Sequence, residues 1–137
     1  MRNEIDLTAH DFLITAKVED SEALIKEAKE LTEKYLKAGP KRRWLLSTPT
    51  YRGLYRLPDF VKACKDFGKV RDINIEDIHI TSGVLVDATV IITVDGTLAR
   101  FKMSLVKEKG MREPDLKAPL RVNAKTAPPF MFVNARE

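Results

Sequence analysis

The chain has 137 residues, 44% of them hydrophobic and 32% charged, with a formal net charge of +4. This is enough for one domain with a core of its own, and the composition excludes a disordered chain. One cysteine, Cys64, rules out an intrachain disulfide or a CxxC metal pair, and two histidines, His10 and His79, argue against a zinc site; no cofactor or metal is expected.

The opening MRNEIDLTAHDF lacks the apolar centre of an export signal, and no apolar run approaches membrane-spanning length, so a cytoplasmic protein is expected. Phe12, Ile14, Ala16 and Val18 fall on alternate positions, which predicts a strand or an extended arm within residues 1–19. EDSEALIKEAKELTEKYLKAGP then reads as a helix. Asp20 or Ser21 suits its N-cap, and Gly39-Pro40 ends it. Leu24, Ala28, Leu31 and Tyr35 form its apolar stripe, widened by Ile25, Thr32 and Leu36.

Next comes KRRWLLSTPTYRGLYRLPDF, with five basic residues, four aromatics and no acid until Asp59. Residues 1–40 carry six basic and nine acidic side chains, residues 41–71 nine and two, and residues 72–137 nine and nine. The positive excess therefore lies in and just after this stretch. It reads as a connector in which Trp44, Leu45, Tyr51 and Phe60 are buried, while Lys41, Arg42, Arg43, Arg52 and Arg56 form a basic surface. A second helix is predicted over Pro58–Phe67, with proline in its first turn, Gly68 at its exit, and Phe60, Val61, Cys64 and Phe67 inward. Cys64 is read as a small core residue rather than a nucleophile.

From Arg71 to Lys107 the period changes to two, and three antiparallel strands are expected. Asp95-Gly96 is a two-residue hairpin signal, and it pairs Ile92 with Ala99, Val90 with Phe101, Ala88 with Met103 and Val86 with Leu105. Those residues make an apolar face. Ile91, Leu85, Val106 and Leu98 interrupt the polar face, where Asp87 is expected to pair with Lys102. A three-residue turn with Gly83 left-handed places Ile78 and Ile80 on the core face and His79 outside; a two-residue turn reverses this. Lys107 to Arg112 reads as a solvated charged turn. In the proline-rich remainder, Leu120–Lys125 and Phe130–Asn134 are candidate strands. The chain thus reads as a single α+β domain over residues 1–137. It comprises an N-terminal strand or arm (1–19), a helix–helix–meander core (20–108) and a tail (109–137).

Trp44, Ser47, Tyr51, Arg52 and Phe60, followed by IEDIHITSGVLVDATVIITVDGTLARFKMSLVKEKG, resemble the nuclear-transport-factor-2-like (cystatin-like cone) superfamily over roughly residues 20 to 108. The resemblance implies helices packed on a curved antiparallel sheet around a cone-shaped pocket, here lined by Trp44, Tyr51, Phe60, Val90, Phe101 and Met103. On the register above, none of the inward hairpin residues can move a proton. The reading is a binding or assembly domain, self-associating as a homodimer through its open sheet face or its terminal arms, with an apolar pocket for a small ligand. One alternative is a pocket enzyme of the superfamily's isomerase, dehydratase or hydrolase type, using Tyr51, Tyr55 and His79. A second is nucleic-acid binding, with the basic residues of 41–56 on phosphates and Trp44, Tyr51 and Tyr55 as stacking faces.

Overall fold

No glycine or proline interrupts the chain before Gly39, and it runs as one helix, α1 (Glu4–Lys37), up to that point. The computed structural model describes the backbone of residues 4–131 and the side chains of residues 21–131. The alternation at Phe12–Val18 therefore does not make a strand, and Asp20 and Ser21 lie inside the helix rather than at its cap. Alternation over four apolar positions is a weak signal, and nothing in this segment breaks the helix that continues into it. Leu24, Ala28, Leu31, Thr32, Tyr35 and Leu36 are all buried, so the expected stripe faces the core.

The basic stretch holds two short helices, α2 (Pro40–Leu45) and α3 (Pro49–Leu54), where a plain connector is expected. Each starts on a proline, and Thr48 caps α3 by accepting the Tyr51 N–H through Oγ1 at 3.1 Å. Proline at the first position leaves no N–H unsatisfied, and a Thr side chain satisfies the next turn. Helix α4 (Leu57–Phe67) follows and exits at Gly68, whose φ of 106° is open to glycine at little cost.

The meander is β1 (Val70–Ser82), β2 (Leu85–Val94) and β3 (Thr97–Gly110). Two short strands, β4 (Glu113–Pro114) and β5 (Leu120–Asn123), each pair with β3. All pairings between these strands are antiparallel, and the helices pack on this curved five-stranded sheet in an α+β arrangement. The β2–β3 register is the one that the Asp95-Gly96 turn dictates, with Ile92 opposite Ala99 and Val86 opposite Leu105. Both turn residues have positive φ, 51° and 79°, as a tight hairpin requires.

The β1–β2 turn differs from expectation. It is a two-residue loop, Gly83-Val84, flanked by the pair Ser82 and Leu85, and Gly83 is not left-handed. A register shift between Ile80 and Ser82 absorbs one residue, so Ile78 and Ile80 still lean on the core and His79 is exposed. A bulge thus restores the faces that a two-residue loop alone reverses.

The tail strand stops at Asn123, and Ala124–Thr126 form a 3₁₀ turn. Phe130 and Met131 belong to no strand, and Val133 and Asn134 of the other candidate strand lie outside the described residues. The free edge of β5 is covered by the α2–α3 junction. Val122 N–H donates to the Leu46 carbonyl at 2.8 Å, and Thr48 N–H donates to the Val122 carbonyl at 2.9 Å. The basic stretch thereby closes one edge of the sheet, one of the ways a fold blunts an open strand.

Candidate binding site

Only Ala38 and Gly39 separate α1 from α2, and this reversal carries Arg43 back under the end of α1. Its Nε donates to the Tyr35 carbonyl at 3.1 Å and its Nη2 to the Leu36 carbonyl at 3.0 Å. Its Nη1 lies 4.0 Å from Cys64 Sγ, and its guanidinium stands 5.6 Å from the centre of the Tyr35 ring. The final carbonyls of a helix have no intrahelical partner and carry the negative end of its dipole. That end acts as the counter-charge of a side chain only 6% exposed. Arg43 is therefore part of the core and not of the basic surface.

Arg52 is half-buried, donating from Nε to the Ser47 carbonyl at 3.1 Å with its guanidinium 5.9 Å from the Trp44 ring. Lys41, Arg42 and Arg56 stay exposed. Trp44 is half-buried and donates its indole N–H to the Tyr55 carbonyl at 3.3 Å, while Leu45, expected inside, is 47% exposed. The cationic surface of the stretch is thus smaller than its composition suggests, and Trp44 is committed on both sides.

Tyr35, Tyr51 and Tyr55 are all buried. The Tyr51 ring lies 4.4 Å from that of Tyr55 and 5.9 Å, edge-on, from Phe60. Tyr35 donates its hydroxyl to the Pro128 carbonyl at 2.6 Å, whereas the hydroxyls of Tyr51, Tyr55 and Thr32 have no partner among the described residues. Burial pushes the Tyr35 phenol well above its ordinary range, against the pull of Arg43. Burial also raises Tyr51, with Tyr55 and Cys64 adding to the shift, and raises Tyr55 alone. The Cys64 thiol is raised by burial and only partly offset by Arg43. These groups are neutral at pH 7, so the phenols are hydrogen-bond donors and not bases. His79 does not join them: it is exposed on β1, opposite Asp87. Asp87 accepts from Ser104 Oγ at 3.0 Å rather than pairing with Lys102.

Of the residues expected to line a cone-shaped pocket, Phe60, Val90 and Met103 are fully buried in the main core, and Phe101 packs against it. Tyr51 instead also borders an open cleft of about 340 Å³ between α3 and the outer side of the β3–β5 edge. Val106 and Glu108 alternate along β3 with the buried Leu105, and Asn123 follows the buried Val122, which puts them on the face opposite the core. Leu54 and Tyr51 of α3 form the opposing wall, and Arg112 and Lys125 stand at the rim.

The cleft is built by specific contacts. Glu108 accepts the Thr50 N–H at 2.8 Å, and the Arg112 N–H donates to Thr50 Oγ1 at 2.7 Å. Met111 lies so close to α3 that a β-carbon at Gly53 would stand 2.5 Å from its sulfur. Glu108, still within β3, and Arg112, in the β3–β4 turn, are thus clamped on α3 and do not form a solvated loop. The outward position of Val106 and Glu108 follows from the strand register. That α3 crosses over them does not, although Thr48-Pro49 is a helix-start signal that points to α3.

Among the described residues, no helix is long and apolar enough to cross a membrane. No protein-family model matches this sequence, and no curated protein matches it at a significant level.

Proposed function

We propose that this chain is a ligand-binding domain of the cone-shaped type, and that its ligand seat is the outer cleft under α3 rather than the concave interior. One observation carries this reading. Val106, an apolar residue on the outer face of the sheet, is met by Leu54 and Tyr51 to make a walled apolar bed ringed by polar groups. Its volume of about 340 Å³ suits a small molecule. The interior offers less, since Phe60, Val90 and Met103 leave no exposed surface there.

Catalysis is not part of this reading. The tyrosines are held neutral by burial and His79 is exposed on β1, so the three residues named for catalysis do not form an acid–base pair. Amide spectra of the ¹⁵N-labelled protein with a set of small aromatic and aliphatic compounds test the proposal. Binders should move the amides of Thr50, Tyr51, Leu54, Val106 and Asn123. Shifts confined to the core side of the sheet, or none with any compound at millimolar concentration, would remove the cleft from consideration.

A further inference from the structure

The groups at the cleft rim select a chemical class of ligand. Arg112 and Lys125 bring two positive charges and Glu108 one negative, a local balance of +1. Among the described residues neither cation has a carboxylate within salt-bridge distance, the ion pairs there being Lys37–Glu33 and Arg100–Glu76. Glu108 already serves the Thr50 N–H through one oxygen. The Asn123 side-chain carbonyl is engaged by the Lys125 N–H at 3.3 Å, which leaves its amide nitrogen as a donor. The cleft therefore presents donors in excess, above apolar walls.

The backbone points the same way. Arg112 has φ 57°, a conformation that glycine or asparagine adopts at lower cost. The turn holds an arginine there regardless, its N–H fixed to Thr50 on the opposite wall.

We infer that the cleft takes a small organic carboxylate with an apolar body, its carboxylate between Arg112 and Lys125 and its body against Leu54, Tyr51 and Val106. This inference rests on the cleft being the ligand seat. A monoanion matches the +1 balance, and a planar guanidinium presents paired N–H groups that fit a carboxylate. A phosphate dianion meets Glu108 at the same rim and is disfavoured by it.

Calorimetry and amide shifts with benzoate, benzyl alcohol and inorganic phosphate test this directly. Benzoate should bind at least tenfold more tightly than benzyl alcohol and move the Thr50, Tyr51 and Arg112 amides, and phosphate should bind more weakly than benzoate. The double substitution Arg112→Gln/Lys125→Gln should bring benzoate down to the level of benzyl alcohol. Glu108→Gln, which keeps an acceptor for Thr50, should tighten benzoate several-fold. If benzyl alcohol moves the cleft amides as strongly as benzoate does, the cleft stands as the seat and the carboxylate assignment falls. If phosphate binds more tightly than benzoate, the anion class is wrong. If none of the three moves these amides, both the carboxylate and the seat are lost for such ligands. Unchanged benzoate affinity in the double variant overturns the placement at Arg112 and Lys125.

Discussion

Arg43 grips Tyr35 twice, donating from Nε to its carbonyl at 3.1 Å and laying its guanidinium 5.6 Å from the ring centre. Tyr35 in turn donates its hydroxyl to the Pro128 carbonyl at 2.6 Å. Two residues thus join the end of α1, the start of α2 and the tail. Arg43→Ala leaves the Tyr35 and Leu36 carbonyls without this partner and should cost about 3 kcal/mol, because hydrogen bonds to a charged group contribute more than neutral ones. Arg43→Lys should recover part of this loss, since an ammonium cannot reproduce the guanidinium's spread of donors. Arg42→Ala, one residue away and exposed, should stay within about 0.5 kcal/mol of the parent. Urea unfolding of the three variants decides the point, and equal stabilities for Arg43→Ala and Arg42→Ala would show that the buried guanidinium contributes nothing.

The three tyrosines should respond differently to loss of a hydroxyl. Tyr35→Phe abandons the buried Pro128 carbonyl and should destabilise by about 1–2 kcal/mol. The hydroxyls of Tyr51 and Tyr55 are buried without a partner among the described residues, so Tyr51→Phe and Tyr55→Phe remove a desolvated group and should be neutral or mildly stabilising. Thermal unfolding by circular dichroism ranks the three. A larger loss at Tyr51 than at Tyr35 would mean that Tyr51 has a hydrogen-bond partner in solution.

Alkaline pH should unfold this protein. An unfolded tyrosine titrates near pH 10 and an unfolded cysteine near about 8.5, and burial raises Tyr35, Tyr51, Tyr55 and Cys64 in the fold. A raised pKa means that the fold favours the protonated form. The contribution of each group is therefore fully present below its unfolded value and is lost as pH rises through the folded one. Stability should be flat for these groups from pH 6 to about 8 and fall above that, first with the thiol and then with the phenols. Absorbance at 295 nm, followed against far-ultraviolet circular dichroism, should show tyrosinate forming together with loss of structure. A full phenol titration near pH 10 with the helices intact would contradict the burial of these rings.

The parts of this fold that were legible in advance are those governed by local rules. Asp95-Gly96 admits one tight turn, and that turn sets every pair from Val94–Thr97 to Leu85–Val106. The stripe from Leu24 to Leu36 and the inward face of α4 follow from helical spacing in the same way. The failures share a different cause. Arg43 looks like surface because its partners are two backbone carbonyls of α1, and no residue type announces a carbonyl. The β1–β2 turn depends on a bulge at Thr81 that the sequence does not mark. Val106 was legible as an outward apolar residue. Its wall, however, comes from α3, whose crossing depends on Leu46 and Thr48 pairing with Val122 over seventy residues away.

The most direct measurement is a crystal structure of the protein with benzoate. The ring should lie between Leu54, Tyr51 and Val106 on the outer side of β3, with its carboxylate reaching Arg112 and Lys125. Benzoate seated instead among Phe60, Val90 and Met103, on the concave side of the sheet, would contradict it.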